Sequence, residues 1–379
     1  MRIALDARSI YAQPLYRKSR NLINLYQTLS ELRPHWHVCA YHRQAEPEKN
    51  ILPHGFATPI RVGLSGSRFE TLNRWRLPMM AWRDEATILH CSANLYPFWK
   101  ARSTVVTIHD LLPFDIPLDH PAKEVARFEH SVRTACHRAT HLICPSRYIA
   151  NRLVHDFGAN PQHITVNHWA PDPTIRQIDE SEYQPVLDRY GIHQPFVLHF
   201  GSTSKRNNTQ KIIKAWAMLE PRLRREQSLL IVGLDQHARD ETKRLANTLG
   251  VDVHISSFTT TDDMPSLLSA ANILAYPSLA EGFGIPILNG WVTSTAVLTS
   301  NITSLPEIAG DAALTVDPTD VFQIAGGLHE LMTNRSLCHR LINNGRHRAS
   351  MFSWRATAQR FANVLENAAG LFRPRSLAA

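Results

Sequence analysis

Tyr276-Pro277-Ser278-Leu279-Ala280-Glu281-Gly282-Phe283-Gly284-Ile285-Pro286-Ile287-Leu288-Asn289 reads as the end of a strand, a glycine-bearing loop and the start of a helix. Pro286 suits a first helical turn, where no intrahelical partner awaits its missing N–H. Gly282 and Gly284 allow the backbone to approach a ligand closely. The leading N–H groups of the helix, around Phe283, Gly284 and Ile285, favour an anion. Glu281 stands at the strand end, where a carboxylate accepts hydrogen bonds from hydroxyls. Hydroxyls to a carboxylate and phosphates to N–H groups are the contacts needed by a sugar carried on a diphosphate.

Outward from this stretch, short apolar strands alternate with helical segments. Upstream lie Phe196–Phe200, 229–232, 253–255 and Ile273–Tyr276, and downstream lies 296–299. A similar series opens the chain: Ile3-Ala4-Leu5, 38–41, 87–90, 104–108 and His141–Cys144, with a helix carrying Leu22, Leu25, Tyr26 and Leu29 at helical spacing. Such alternation predicts parallel, doubly wound sheets. Residues 170–195 hold four prolines and no sustained apolar period, so they read as a connection. The expected organisation is a first α/β domain over 1–172, a linker over 173–194, a second α/β domain over 195–352 and a terminal segment over 353–379. In that last segment a helix capped by Ser353 is expected to cross back to the first domain. A chain of 379 residues exceeds what one core usually serves.

The loop after the first of the later strands, Phe200-Gly201-Ser202-Thr203-Ser204-Lys205-Arg206-Asn207-Asn208, precedes a helix and carries two adjacent cations. A guanidinium binds phosphate oxygens through a two-pronged fork. In the first half, Val105-Val106-Thr107-Ile108 runs into His109-Asp110.

Together these stretches resemble the retaining glycosyltransferases of family 4. Their PSxxEGFGxPxxE pattern is matched from Pro277 through Pro286, with Asn289 standing where the family has its second glutamate. Their G-x-x-x-x-R-K-N loop is matched by Gly201, Arg206 and Asn208, with Asn207 in place of the lysine and Lys205 one residue earlier. The downstream stretch 300–314, with Thr303, Ser304 and Glu307, resembles the loop and helix that close the family's phosphate pocket. The Gly-x-Gly-Arg turn of the family's first domain aligns with Arg17-Lys18-Ser19-Arg20.

The resemblance implies the GT-B class, two facing Rossmann-like domains with a cleft between them. It also implies roles. Glu281 holds the donor sugar, Arg206 and Lys205 hold the diphosphate, and Asn289 faces the ribose. Gly201, Ser202, Asn207, Gly282, Phe283, Gly284 and Ile285 line the donor site, and Phe258 lies near the nucleotide base. His109 hydrogen-bonds the sugar or positions the acceptor hydroxyl. The catalytic set is then His109, Glu281 and Arg206. No cofactor or metal is expected, the nucleoside diphosphate sugar being a substrate. Asp262-Asp263 reads as a capping turn rather than a metal site. The wording of 108–113 and 304–314 is most like bacterial mannosyl- and deoxyhexosyltransferases of polysaccharide assembly. That favours a GDP-sugar, with a UDP-sugar next.

Residues 1–172 hold 21 Lys and Arg against 14 Asp and Glu, a net of +7, while the remainder nets +1. The expected partners are the nucleotide-sugar donor and a saccharide or lipid-linked acceptor, with peripheral contact to an anionic membrane. A solvated basic surface stays open as the plain alternative. No helix-turn-helix or aromatic-plus-basic motif argues for nucleic acid. No window approaches the roughly 18 apolar residues of a membrane span, and Asp6 comes too early for a signal peptide, so a cytoplasmic protein is expected. The five cysteines are scattered and suggest neither disulfides nor zinc. A non-catalytic nucleotide-sugar-binding protein and a sugar-nucleotide epimerase remain as rival readings.

Overall fold

A computed structural model describes residues 1–14, 17–44, 51–62, 70–92, 94, 96–97, 99, 103–202, 204–256 and 261–370. The chain divides into two units. The first comprises 1–114, 120–169 and 353–379, and the second comprises 115–119 and 170–352.

The first unit is built on a parallel sheet. Its strands are β1 (Arg2–Asp6), β2 (His37–His42), β3 (Ala57–Arg61), β4 (Ile88–Cys91), β5 (Thr104–Thr107), β6 (His141–Cys144) and β7 (Ile164–Val166), in the order β3-β2-β1-β4-β5-β6-β7. β1, β4, β5 and β6 are almost wholly buried, as parallel strands covered on both faces must be. The helix Trp354–Ala368 belongs to this unit. Ser353 caps it by accepting Ala356 N–H, and Phe361 packs edge-on to Tyr26 and His90, with ring centres 5.9 and 5.0 Å away. Arg33 and Glu366 pair at 2.8 Å.

The second unit repeats the plan with β8 (Phe196–Phe200), β9 (Ser228–Val232), β10 (His254–Ile255), β11 (Ile273–Tyr276), β12 (Ala296–Ser300) and β13 (Leu314–Val316), ordered β10-β9-β8-β11-β12-β13. In both sheets the strand order reverses at the first strand. That places switch points between β1 and β4 and between β8 and β11, where open α/β sheets bind ligands beyond the strands' carboxyl ends.

Three strands lie beyond the sequence expectation: β3, β7 and β13. All are sheet edges and half exposed, so they lack the unbroken apolar run that marks a buried strand. Pro59 in β3 is compatible with that edge position. One expectation is corrected. The stretch 173–194 is not a bare linker. It contains the helix Glu180–Tyr190, with Val186 and Leu187 buried and Gly191 closing it at φ 67°. Its two apolar anchors are too few to register as a period. Arg17-Lys18-Ser19-Arg20, which departs from the family's glycine turn, takes a helical conformation. It is the first turn of the helix Arg17–Leu32, and buried Ser19 donates to the Ser9 carbonyl at 3.1 Å.

Candidate functional site

In the second unit the switch point gathers two of the sequence motifs. β8 is followed by Gly201, whose N–H donates to Val232 O at 2.8 Å. A Cβ there would lie 2.5 Å from Leu234 Cδ2, so any larger residue would have to displace the Leu234 side chain. Ser202 and Ser204 lock the following turn by mutual hydrogen bonds, and Ser204 Oγ accepts the Arg206 N–H at 3.2 Å. Asn208, at φ 64°, donates to the carbonyls of Pro277 and Pro318 at 3.0 and 2.7 Å. Arg206 O accepts from Leu279 N–H at 2.8 Å and Ser278 Oγ at 3.1 Å. The loop after β8 is thereby fastened to the loop after β11.

This fastening brings Arg206 to Glu281. Nη1 of Arg206 stands 2.5 Å from Glu281 Oε1, and both side chains are largely buried. Tyr276 donates its hydroxyl to the same oxygen, and Ser278 Oγ, 3.3 Å away, shares its single proton between it and Arg206 O. All three contacts fall on Oε1, so Oε2 remains for another donor among the described residues. The helix Ile285–Val292 follows from Gly284, at φ 112°, with Pro286 in its first turn. A Cβ on Gly284 would meet Leu305 Cδ2 at 2.7 Å.

The remaining donor-side expectations fare unevenly. Asn207 is buried, its Nδ2 donating to Phe200 O at 2.7 Å, while its Oδ1 lacks a partner among the described residues. Lys205 is exposed and so does not fill the position held by Asn207. Asn289 accepts Asp172 N–H at 3.0 Å through Oδ1. Gly282, Phe283 and Ile285 are buried in the loop and first turn, with Phe283 edge-on to Phe352 at 5.9 Å. Ser304 does not offer its hydroxyl outward. It is buried and braces the carbonyls of Glu281 and Phe283 at 2.8 and 3.1 Å. Thr303, at φ 59°, has a buried Oγ1 without a partner among the described residues. Phe258 lies outside the described residues. Asp263 stands at the N-cap of the helix Met264–Ala270, as the capping turn implies, without a side-chain bond to the helix N–H groups. It accepts from Arg189 and from Tyr190, the latter at 3.0 Å.

Sequence reading missed three contributors. Tyr276 and Ser278, a strand end and a motif position in the sequence, both hydrogen-bond the Glu281 carboxylate. Asp119 accepts from Ser204 Oγ at 2.8 Å and from Lys205 N–H at 2.9 Å. It lies 85 and 86 residues away in sequence, and no local pattern announces it.

In the first unit His109 follows β5. Nε2 donates to Ser92 O at 2.6 Å, the only role open to it against a carbonyl, so the neutral ring keeps its lone pair on Nδ1. Its backbone N–H donates to Asn94 Oδ1 at 2.7 Å, and the ring stacks on Trp169 at 5.8 Å. Burial, aided by the Lys18 charge, lowers its pKa to about 4. Asp110 is also buried, which alone would raise its pKa. The Lys18 ammonium, 2.7 Å away, overrides that and holds the carboxyl below its ordinary range. Asp6 and Arg8 form a two-pronged buried pair after β1, both contacts 2.7 Å long.

Residues 190–348 match the family described as Glycosyl transferases group 1, and residues 19–173 match Glycosyltransferase Family 4. The chain belongs to the family-4 glycosyltransferases. Within this family it is 28% identical to the O-antigen chain mannosyltransferase B of Escherichia coli, over 72% of this chain and 73% of that protein. It is 29% identical to the serotype-specific mannosyltransferase WbdA of Escherichia coli, over 69% of this chain but 32% of that longer protein. The sucrose-phosphate synthase of Thermosynechococcus elongatus shares the fold at a TM-score of 0.80, with 16% identity over 98% of this chain and 100% of that one. The glycosyltransferase has the GT-B class of fold, two parallel-sheet domains with flanking helices.

Proposed function

We propose that this glycosyltransferase moves a hexose or deoxyhexose, with retained anomeric configuration, from a nucleoside diphosphate sugar to a saccharide or lipid-linked saccharide in bacterial polysaccharide assembly. A GDP-sugar is the favoured donor and a UDP-sugar the next. The observation that carries the reading is the Arg206–Glu281 pair at the β8/β11 switch point, clamped by Tyr276 and Ser278. Glu281 Oε2 accepts donor-sugar hydroxyls. Arg206, the buried Thr303 hydroxyl and the start of the helix Ile285–Val292 stabilise charge developing on the leaving diphosphate. The mannosyltransferase names of the relatives support a mannosyl or related group.

In this mechanism the acceptor attacks the face from which the diphosphate departs. The acceptor oxygen–carbon bond forms as the anomeric carbon–phosphate oxygen bond breaks, and the leaving phosphate takes the acceptor's proton. His109, neutral near pH 7, hydrogen-bonds a sugar or acceptor hydroxyl rather than supplying a proton. No divalent metal is assigned a step. The protein works at the cytoplasmic side, in peripheral contact with an anionic membrane.

The test is a thermal-shift panel with GDP, UDP, dTDP and their sugar derivatives. A sugar nucleotide should stabilise the protein beyond its diphosphate, and Glu281→Ala should remove that increment alone. NMR of the first product then reads the anomeric configuration. A second reading, a binding protein without transfer, is favoured by the buried, uncharged Asn207 in the loop that carries Arg206. Donor binding with no turnover against any saccharide or lipid-linked acceptor would establish it.

A further inference from the structure

The helix Glu70–Arg83 is apolar on two faces. Leu77 and Ala81 are buried in the core of the first unit, as a surface helix requires. On the outer side Trp75, Met79 and Trp82 fall four and three residues apart, one above another on a single stripe. They are 52%, 54% and 73% exposed. Arg76 and Arg83 stand exposed beside them, Arg83 sharing its charge with Asp84 at 2.7 Å. The helix carries three arginines and one glutamate, and it sits in the half of the chain with a net of +7.

We propose that this stripe is the surface by which the protein docks on an anionic lipid bilayer, the helix lying in the plane of the headgroups. The proposal names the surface for the membrane contact put forward above and rests on that reading, not on the transfer chemistry. Tryptophan is the side chain best suited to the headgroup boundary, because its ring is apolar and its N–H is polar. An amphipathic helix with aromatic residues on one face and arginines at its margin binds by shallow insertion plus attraction to anionic lipid. The occupant is not a second copy of this chain. The three side chains expose together on the order of 400 Å², about half of what one partner contributes to a stable interface. The excess of positive charge would also set two copies against each other.

Flotation of the full-length protein with vesicles decides the matter. The vesicles are phosphatidylcholine alone, or phosphatidylcholine with one third phosphatidylglycerol, at low and high salt. The wild type should float with the anionic vesicles, weaken with salt, and show a blue shift in tryptophan emission. The double variant Trp75→Ala/Trp82→Ala should lose at least about tenfold in partitioning, and Arg76→Glu should weaken anionic binding without a change in thermal unfolding. All variants should keep the nucleotide-sugar thermal shift, since the stripe lies outside the donor loops. The proposal is overturned if the wild type ignores anionic vesicles, if the double variant floats equally well, or if the stripe governs self-association in lipid-free gel filtration. Loss of the nucleotide response in the wild type with vesicle docking intact would instead count against the transferase mechanism alone.

Discussion

Arg206 Nη1 lies 2.5 Å from Glu281 Oε1, joining the loop after β8 to the loop after β11 across 75 residues of sequence. The same oxygen also receives Tyr276 and Ser278, so Glu281 is oriented before any ligand arrives. Removing one member of a buried pair leaves the other's charge uncompensated. Glu281→Gln should therefore destabilise the protein by about 1–3 kcal/mol and reduce transfer by about 100-fold or more. The double variant Arg206→Met/Glu281→Gln should recover part of the stability but none of the activity. Urea unfolding of the two single variants and the double variant checks this. Additive stability losses would mean the two side chains do not interact.

Asn207→Lys tests the missing cation. The change removes the Asn207 hydrogen bond to Phe200 O and places an ammonium in a buried position, so unliganded stability should fall by about 1–3 kcal/mol. A diphosphate bound beside it would offset that cost. The prediction is a larger thermal shift with nucleoside diphosphate than the wild type shows. An equal or smaller shift would place the Asn207 position away from the phosphates.

Gly284→Ala should both destabilise and disarm the donor loop. Gly284 has φ 112°, unfavourable for a residue with a Cβ, and the added carbon would meet Leu305 at 2.7 Å. The expected cost is about 1–3 kcal/mol, with a loss of nucleotide-sugar response beyond what the lowered melting temperature explains. Retention of the full thermal shift would show that the backbone here does not approach the donor.

Acid should unfold the protein through its buried histidines. Burial lowers the pKa of His90 to about 3 and of His109 and His199 to about 4, from an ordinary 6.5. His199 illustrates the reason. Nδ1–H donates to Ala275 O at 2.9 Å and Nε2 accepts from Thr209 at 3.0 Å, so a second proton would displace Thr209. Above 6.5 the rings are neutral in both states and contribute no slope. Between 6.5 and about 4 the unfolded chain binds the extra protons, so stability falls as pH falls, by up to about 1.4 kcal/mol per pH unit for each histidine. Urea midpoints measured across this window should drop steeply, and His199→Gln should flatten the slope. A midpoint independent of pH in this range would refute the assignment.

The buried strands were legible because a parallel strand covered on both faces must be apolar throughout, as Phe196–Phe200 and Ile273–Tyr276 are. The glycine loop was legible because Gly284 and Pro286 obey local backbone rules. The edge strands β3, β7 and β13 were not, since half-exposed edges carry mixed residues. Nor was the helix Glu180–Tyr190, whose two buried anchors leave no measurable period.

The candidate site divides along the same line. Sequence alone determined that Glu281 follows a strand and precedes a helix start, that Arg206 sits in a loop between strand and helix, and that the first half is basic, because each is a property of neighbouring residues. Only the tertiary structure decided that Arg206 meets Glu281, that Ser304 turns inward to the Glu281 and Phe283 carbonyls, and that Asp119 holds the Ser204–Lys205 turn. It also decided that Trp75, Met79 and Trp82 face outward while Leu77 and Ala81 fill the core. These are relations between residues brought together by the stacking of β8 beside β11 and of a helix on its sheet, and nothing in local sequence encodes which distant side chain will occupy the other side of a contact.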